Sequence, residues 1–400
     1  MATKVIDLDV SQGCRPLTGL EGYDQALCLL RWQDTPLGRV FLPVREDQVG
    51  AAALLQALDG PMLHTAWRCL LDQRVGAALK DTPARLPLSA TVVVCTRNRP
   101  DDLRRCLASL VRFADATTDL LVIDNDPPDD GTAEVCRAFG VRRVVEPRRG
   151  LNWARSRGLM AARGEVVAFI DDDAVASPQW LEHLRAPFHD PTVAAATGLV
   201  MPLELENTAQ EQFEAHCTFV RGFRYRRFHA ANTQPIAAGR AGAGACMAVR
   251  RRLADELGLF RVEMDCGTVT ESGGDTYAFY RLIALGYTVV YEPRALAWHR
   301  HRRDDNALRR VLYGYGVGTY VYLLRCLLRH REIVAVREGL SWLRHHHLPE
   351  LFAPLLPGRR RKQAVHLTLE ELRGVRRAPL AYLLSRRREE QLRPLIDAAE

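Results

Sequence analysis

Between Ala90 and Asp173 short apolar runs alternate with amphipathic segments, and this alternation restricts the possible folds more than any other feature of the chain. "TVVVC" (91–95), "DLLVID" (119–124), "VRRVVE" (141–146) and "EVVAFID" (165–171) read as strands. "PDDLRRCLASLVRF", "GTAEVCRAF" and "LNWARSRGLMAA" between them read as helices, the first opening on Pro100 and two Asp. Near-continuously apolar strands separated by helices predict an α/β, Rossmann-like, mainly parallel sheet with helices on both faces. Ligands of such sheets bind at the carboxyl ends of the strands. Polar residues collect at those ends: Thr96, Arg97, Asn98 and Arg99, then Asp124 and Asn125, then Asp171, Asp172 and Asp173.

The three consecutive carboxylates are costly on their own. At a separation near 5 Å and an effective dielectric near 20, each close pair repels by roughly 3 kcal/mol. Side chains alternate along an extended segment, so Asp171 and Asp173 point one way and Asp172 the other. Two oxygens on one side suit a hard divalent cation, Mn2+ or Mg2+, which removes the repulsion and can neutralise a diphosphate. A cluster capping the next helix near Ser177 and Pro178 is the plainer alternative, but three carboxylates after a buried strand favour the metal. Other nucleotide and phosphate chemistries fit poorly. There is no GxGxxG after the first strand and no GxxxxGK[ST]. A phosphatase built on "FIDDDAV" needs a later Lys, and the chain has only Lys4, Lys80 and Lys362. A nucleotidylyltransferase wants a Gly-rich loop where "CTRNRP" has no glycine.

The chain divides by pattern into three parts, 1–88, 89–302 and 303–400. In the first, "ALCLLRW" and "RVFLPV" read as a hairpin turning through "QDTPLG", followed by helices at "VGAAALLQAL" and "AWRCLLDQRVGAAL" and a Pro-bearing linker "DTPARLPLS". This small α+β unit carries no recognisable chemistry. The last part is helical and basic, with 20 Lys and Arg against 11 Asp and Glu from His301 onward, while the whole chain is +7. Such a tail is either a solvated helical face or a peripheral contact with an anionic membrane. No nucleic-acid-binding pattern is present. "MATKVIDLDV" has no signal-peptide character, Val311–Leu324 is too short and Gly-rich to span a bilayer, and the ten cysteines show no CxxC. The expected location is cytoplasmic, with association at the inner membrane face as the further option.

From Ala90 to Arg303 the motifs, in order, resemble family 2 glycosyltransferases of the GT-A fold. "VVVCTRNRPDDLRRCLASL" is similar to the family's first strand and helix, "LLVIDND" to its second strand, and "GLNWARSRGLMAARGEVVAFIDDDA" to the helix and strand leading into its DxD. "AGAGACMAVRR" resembles its acceptor loop and "YEPRALAWHRHRR" the segment supplying a metal-facing His. The resemblance implies base recognition by Asp124, ribose and metal-water contacts by Asp171, direct metal ligation by Asp173 and His299, and an acceptor loop at Gly242, Gly244 and Cys246, where the family often has Asn at the last position. Thr96, Arg97 and Arg99 suit base and phosphate contacts, the arginines through their fork geometry. Arg155 and Arg157 are further phosphate candidates or a solvated helix face, and Asp172 has an orienting role beside the donor.

The general base of an inverting transfer takes the acceptor hydroxyl's proton. The family carries it in a GGGED-type segment opening a helix. Here the segment is "ESGGDTYAFYRLIALGY", which puts Asp275 at the base position, Gly274 in place of the preceding Glu and Tyr277 in place of the second acid. Glu271 is the fallback, and an N-cap is the alternative role of Asp275. The resemblance thus implies inverting, metal-dependent transfer of a sugar from a nucleotide-diphosphate donor, UDP-linked, to an acceptor hydroxyl. The alternative is a donor-binding but catalytically weak homologue acting as a partner subunit.

Overall fold

The computed structural model describes residues 2–78, 87–113, 115–352 and 365–397. The chain opens with β1 (Thr3–Asp9), β2 (Gln25–Trp32), β3 (Thr35–Pro43), α1 (Ala51–Ala57) and α2 (Gly60–Ala78). The expected hairpin is β2–β3, but Trp32 pairs with Thr35, so the turn is Gln33–Asp34 and not the Pro/Gly stretch. Gln33 takes the left-handed conformation (φ 54°) that a two-residue turn needs. Pro36 falls at a register shift, where a missing N–H is tolerated. β1, which the sequence reading left out, pairs parallel with β2. The linker expected at 81–89 lies largely outside the described residues.

The alternation read from the sequence is present as β4 (Ala90–Thr96), α3 (Pro100–Leu110), β5 (Thr118–Asn125), α4 (Gly131–Phe139), β6 (Arg142–Glu146), α5 (Leu151–Ala161) and β7 (Val166–Asp171). β7, β4, β5 and β6 lie side by side and parallel. The chain continues through β8 (Ala174–Ala176), α6 (Trp180–Arg185), β9 (Val193–Pro202), α7 (Thr208–Cys217), β10 (Arg226–Phe228), β11 (Cys246–Arg250), α8 (Arg251–Glu256), α9 (Gly274–Ala284) and β12 (Thr288–His299). The nine-stranded sheet runs β10-β12-β9-β11-β7-β4-β5-β6, with β8 on β12. β11 is antiparallel to both neighbours, so the sheet is mixed at its centre and parallel on the flank that carries the first motifs. One apolar cluster lies on each face: Leu103, Leu107, Trp180 and Phe188 on one, Phe169, Phe260, Phe279 and Tyr280 on the other.

The N-terminal sheet is docked on this body. Leu27 and Leu29 pack with Leu199, Met201, Leu205 and Leu296, and Thr3 N–H donates to Leu205 O at 2.8 Å.

The last part comprises α10 (Asp305–His330), α11 (Val334–Trp342), α12 (Leu348–Phe352) and α13 (Val365–Asp397), with a π-helical turn, Leu343–His347, joining α11 to α12. By length and composition α10 could cross a membrane, yet 56 % of its most apolar window is buried inside the protein. Its glycines explain the packing. A Cβ on Gly316 would lie 2.0 Å from Glu371 O on α13, and one on Gly374 2.1 Å from Tyr313 O on α10. The two helices therefore touch backbone to backbone. Gly316→Val is expected to cost at least about 3 kcal/mol, seen as a lower denaturant midpoint. Gly339→Ala, whose new methyl meets its nearest atom at an ordinary 3.5 Å, should change stability by no more than about 1 kcal/mol.

Candidate active site

Asp171 ends β7, and the chain doubles back at once into β8, whose Ala174 pairs with His299 at the end of β12. This register brings His299 beside Asp173: Nε2 lies 3.0 Å from Asp173 Oδ1. Donor atoms of Asp171, Asp173 and His299 all fall within 4.8 Å of one another. Asp172 lies outside this set, accepting from Thr96 Oγ1 at 2.7 Å and Arg99 Nη1 at 3.2 Å. Asp172 is left out of the donor set, but residues 172 and 173 form a turn and not an extended segment, and Arg99 Nη1 spans both their carboxylates.

Charge around the cluster follows from burial and pairing. Burial, then the charge of Asp173, pushes the Asp172 carboxyl up to about 7 against the pull of Arg99 and Thr96. Asp171 is raised by the same two causes. For Asp173 burial acts upward but is outweighed by His299, Arg302 and Arg99, which hold it well below the usual carboxylate range. Burial would lower His299; Asp173 outweighs it and raises the imidazole. Two carboxylates and one imidazole on one face fit a divalent cation such as Mn2+ or Mg2+. Behind His299, His301 gives Nε2 to Glu214 Oε2 on α7 at 3.0 Å, with Phe213 of the same helix against its ring.

The cluster opens into a cleft of about 790 Å3, which Thr96, Arg97, Asn98, Arg99, Asn125, Arg149, Arg302 and Arg310 help to line. Arg99 bridges Asp172 and Asp173, Arg97 pairs with Asp126 at 2.8 Å, and Arg302 reaches Asp173 at 3.2 Å. Several expected donor contacts are placed elsewhere. Asp124 is fully buried, its Oδ2 taken by Arg143 at 2.6 and 2.8 Å, and the cleft wall at that strand end is Asn125. Arg155 is buried and pairs with Asp265 at 2.8 Å, while Arg157 is exposed on the helix surface.

On the acceptor side, Gly242 has φ 136°, and a Cβ there would strike the Thr197 side chain at 2.4 Å. Gly244 N–H donates to Asp275 Oδ2 at 2.6 Å, an approach that a Cβ at 244 would block. Cys246 is a core residue and not a cleft one: as the first residue of β11 it is fully buried, and its Sγ accepts from Trp180 Nε1 at 3.0 Å. Asp275 is not the N-cap of α9 either. Gly273 holds that position with φ 90°, and Asp275 sits in the first turn, half-buried. Glu271, in the left-handed conformation (φ 62°), is exposed on the cleft wall. The space beside Gly274 is filled by Asp265, whose Oδ2 would lie 2.4 Å from a Cβ there. A side chain at 274 would therefore displace Asp265, which is itself buried and paired with Arg155.

The model of glycosyl transferase family 2 matches residues 91–258. The chain is 30 % identical over 230 residues to the pre-mycofactocin glycosyltransferase of Mycobacterium tuberculosis, covering 56 % of this chain and 46 % of that one. It is also 30 % identical over 240 residues to the succinoglycan biosynthesis protein ExoM of Rhizobium meliloti, covering 54 % of this chain and 72 % of that one. The chain belongs to glycosyl transferase family 2. It spans about half the length of the first of these relatives. Among solved structures, a mannosyltransferase from Pyrobaculum calidifontis in complex with GDP-Man and Mn2+ aligns with a TM-score of 0.49 at 16 % identity, covering 79 % of this chain and 95 % of that one.

The family 2 match holds Thr96–Asp173 and the loop at 242–246 but ends before Asp275 and His299. Arg302, Glu214 and Asp265 were not singled out from the sequence. Arg302 had a usable signal, being three residues past His299 in "HRHRR". Glu214 and Asp265 had none, because each reaches the site from a segment with no motif of its own.

Proposed function

We propose that this protein transfers a sugar, with inversion and with a divalent cation, from a nucleotide-diphosphate sugar, UDP-linked, to an acceptor hydroxyl. One observation carries the reading: the Asp171, Asp173 and His299 donor set opens into an arginine-lined cleft at the carboxyl ends of parallel strands. A cation held there neutralises charge on the diphosphate leaving group. Arg97, Arg99 and Arg302 bind its oxygens, with forks matched to phosphate. Thr96 holds Asp172 in place, and Asn125 faces the nucleoside end of the cleft. Asp275, fixed by Gly244 N–H, takes the acceptor proton. The exposed apolar side of α11, Ile333, Val336 and Leu340 beside Arg337, supports a peripheral contact with an anionic lipid surface.

A second reading, a donor-binding partner with little turnover, is favoured by the loss of acidic side chains at 274 and 277, where Tyr277 is buried among core residues. A thermal-shift panel of UDP- and GDP-sugars with and without Mn2+ tests the reading, since a ligand at 100 times its Kd adds about 2.7 kcal/mol. UDP-sugars are expected to raise Tm only with Mn2+. A panel with no shift at all would overturn donor binding. Binding without transfer on a broad acceptor set would favour the partner reading.

A further inference from the structure

Away from the cleft, one oxygen of Glu371 on α13 faces three imidazoles. Oε2 lies 3.2 Å from His216 Nε2, 3.1 Å from His346 Nε2 and 3.5 Å from His347 Nε2. His216 comes from α7, and His346 and His347 from the π-helical turn between α11 and α12. The side chains of His216, His347 and Glu371 are 3 %, 1 % and 6 % exposed, and that of His346 is 27 % exposed.

Hydrogen bonds alone account poorly for this arrangement. A carboxylate oxygen offers about two lone pairs, too few for three good donors. Among the described residues neither ring nitrogen of His347 has a hydrogen-bond partner, although the residue is almost fully buried. Every imidazole that lacks a proton on Nε2 would turn a lone pair towards the carboxylate. A cation among these atoms reverses that repulsion. The spacing agrees: zinc bonds of about 2.0–2.1 Å in a tetrahedron set ligand atoms about 3.3–3.4 Å apart. Donor atoms of His216, His346 and Glu371 all lie within 4.8 Å of one another.

We propose that His216, His346 and Glu371, with His347 beside them, form a structural site for a divalent cation of the zinc class. The site ties the C-terminal helices to α7. Its placement gives it a consequence at the cleft. α7 turns His216 towards α13, while Phe213 and Glu214 hold His301 behind the active-site imidazole His299. Gly316 seats α10 against the backbone of Glu371 itself, which fixes the main chain that carries the carboxylate. The inference does not depend on the proposed transfer activity.

The test uses the full-length, tag-free chain, stripped of metal and carrying Asp173→Asn to disable the cleft cluster. Zinc is titrated against a chromophoric chelator, and Co2+ uptake is followed by visible absorption. One Zn2+ per chain and Co2+ bands of tetrahedral strength are expected. Adding Glu371→Gln or His346→Gln should weaken zinc by more than about 100-fold, beyond the loss typical of an outer-shell change. His346 is the most exposed of the four, so its variant retains the fold, which circular dichroism verifies. No zinc uptake, or uptake unchanged by either substitution, would overturn the site.

Discussion

Asp275→Asn is expected to lower the rate of sugar transfer by about 10²–10⁴-fold while leaving donor affinity within about twofold, a change worth under about 0.5 kcal/mol. The side chain is held at both oxygens: Oδ2 accepts from Gly244 N–H at 2.6 Å, and Oδ1 accepts from Thr276 N–H at 2.7 Å. Asn keeps the volume and one acceptor, which can still receive the Gly244 N–H while the bond from Thr276 N–H is given up, and it cannot take a proton; circular dichroism and Tm check that the loop and α9 stay in place. The donor contacts proposed above lie at Asp171–Asp173 and the cleft arginines, apart from this loop. Single-turnover transfer and donor binding, measured on the same preparation, separate the two effects. Glu271→Gln is the companion variant, because Glu271 is the acid exposed on the cleft wall. A change under tenfold is expected from it. The reverse pattern would move the base to Glu271 and leave Asp275 as a loop anchor.

The difference between these acids also shows where sequence reasoning stopped. β4 to β7 and the helices between them were legible because each element is written in its own residues: apolar runs for the strands, and Pro100 with two Asp opening α3. The Asp171–Asp173 cluster was legible for the same reason, as a local motif at a strand end, while His299 was reached through the family resemblance of "YEPRALAWHRHRR". What was not legible depends on partners remote in the chain. Asp124 stands at its strand end as a base-recognition candidate, and its pairing through Oδ2 with Arg143 on the neighbouring strand, which leaves Oδ1 without a partner among the described residues, had no local signal. Cys246 sits in a Gly-rich loop by sequence, yet its side chain turns inward under Trp180. The glycines of "YGYGVG" read as a limit on membrane spanning, whereas Gly316 is where α13 lies against α10 and Gly314 and Gly318 admit the Glu271–Ser272 segment. In each case the deciding atom belongs to a segment tens of residues away or more, and no local period reports it.

Asp173→Asn is expected to abolish the Mn2+-dependent rise in Tm and to reduce transfer by about 10³-fold, the equivalent of several kcal/mol of charge stabilisation. The carboxylate pairs with Arg99 at 2.9 Å, His299 at 3.0 Å and Arg302 at 3.2 Å, and a cation bound on the face shared with Asp171 and His299 would compete with these partners for it. The pH dependence of stability reports this competition. Asp172 and Asp171 are raised in the folded protein, so their ionisation destabilises the metal-free fold as pH climbs above the ordinary carboxylate range, for Asp172 up to about 7. His299 is raised, so the stability it adds is complete below about 6.5 and is lost as pH passes its folded value. All three act in one direction, and a bound cation opposes each of them. The Tm gain on adding Mn2+ should therefore be larger at pH 8 than at pH 5.5 in the unmodified protein. In Asp173→Asn the charge that helps raise Asp171, Asp172 and His299 is gone, so the slope between those pH values should flatten and the Mn2+ gain should vanish at both. With Glu371→Gln in both proteins to remove the second cation site, an Asp173→Asn protein that kept a pH-dependent Mn2+ gain would place the cation outside the Asp171, Asp173 and His299 set.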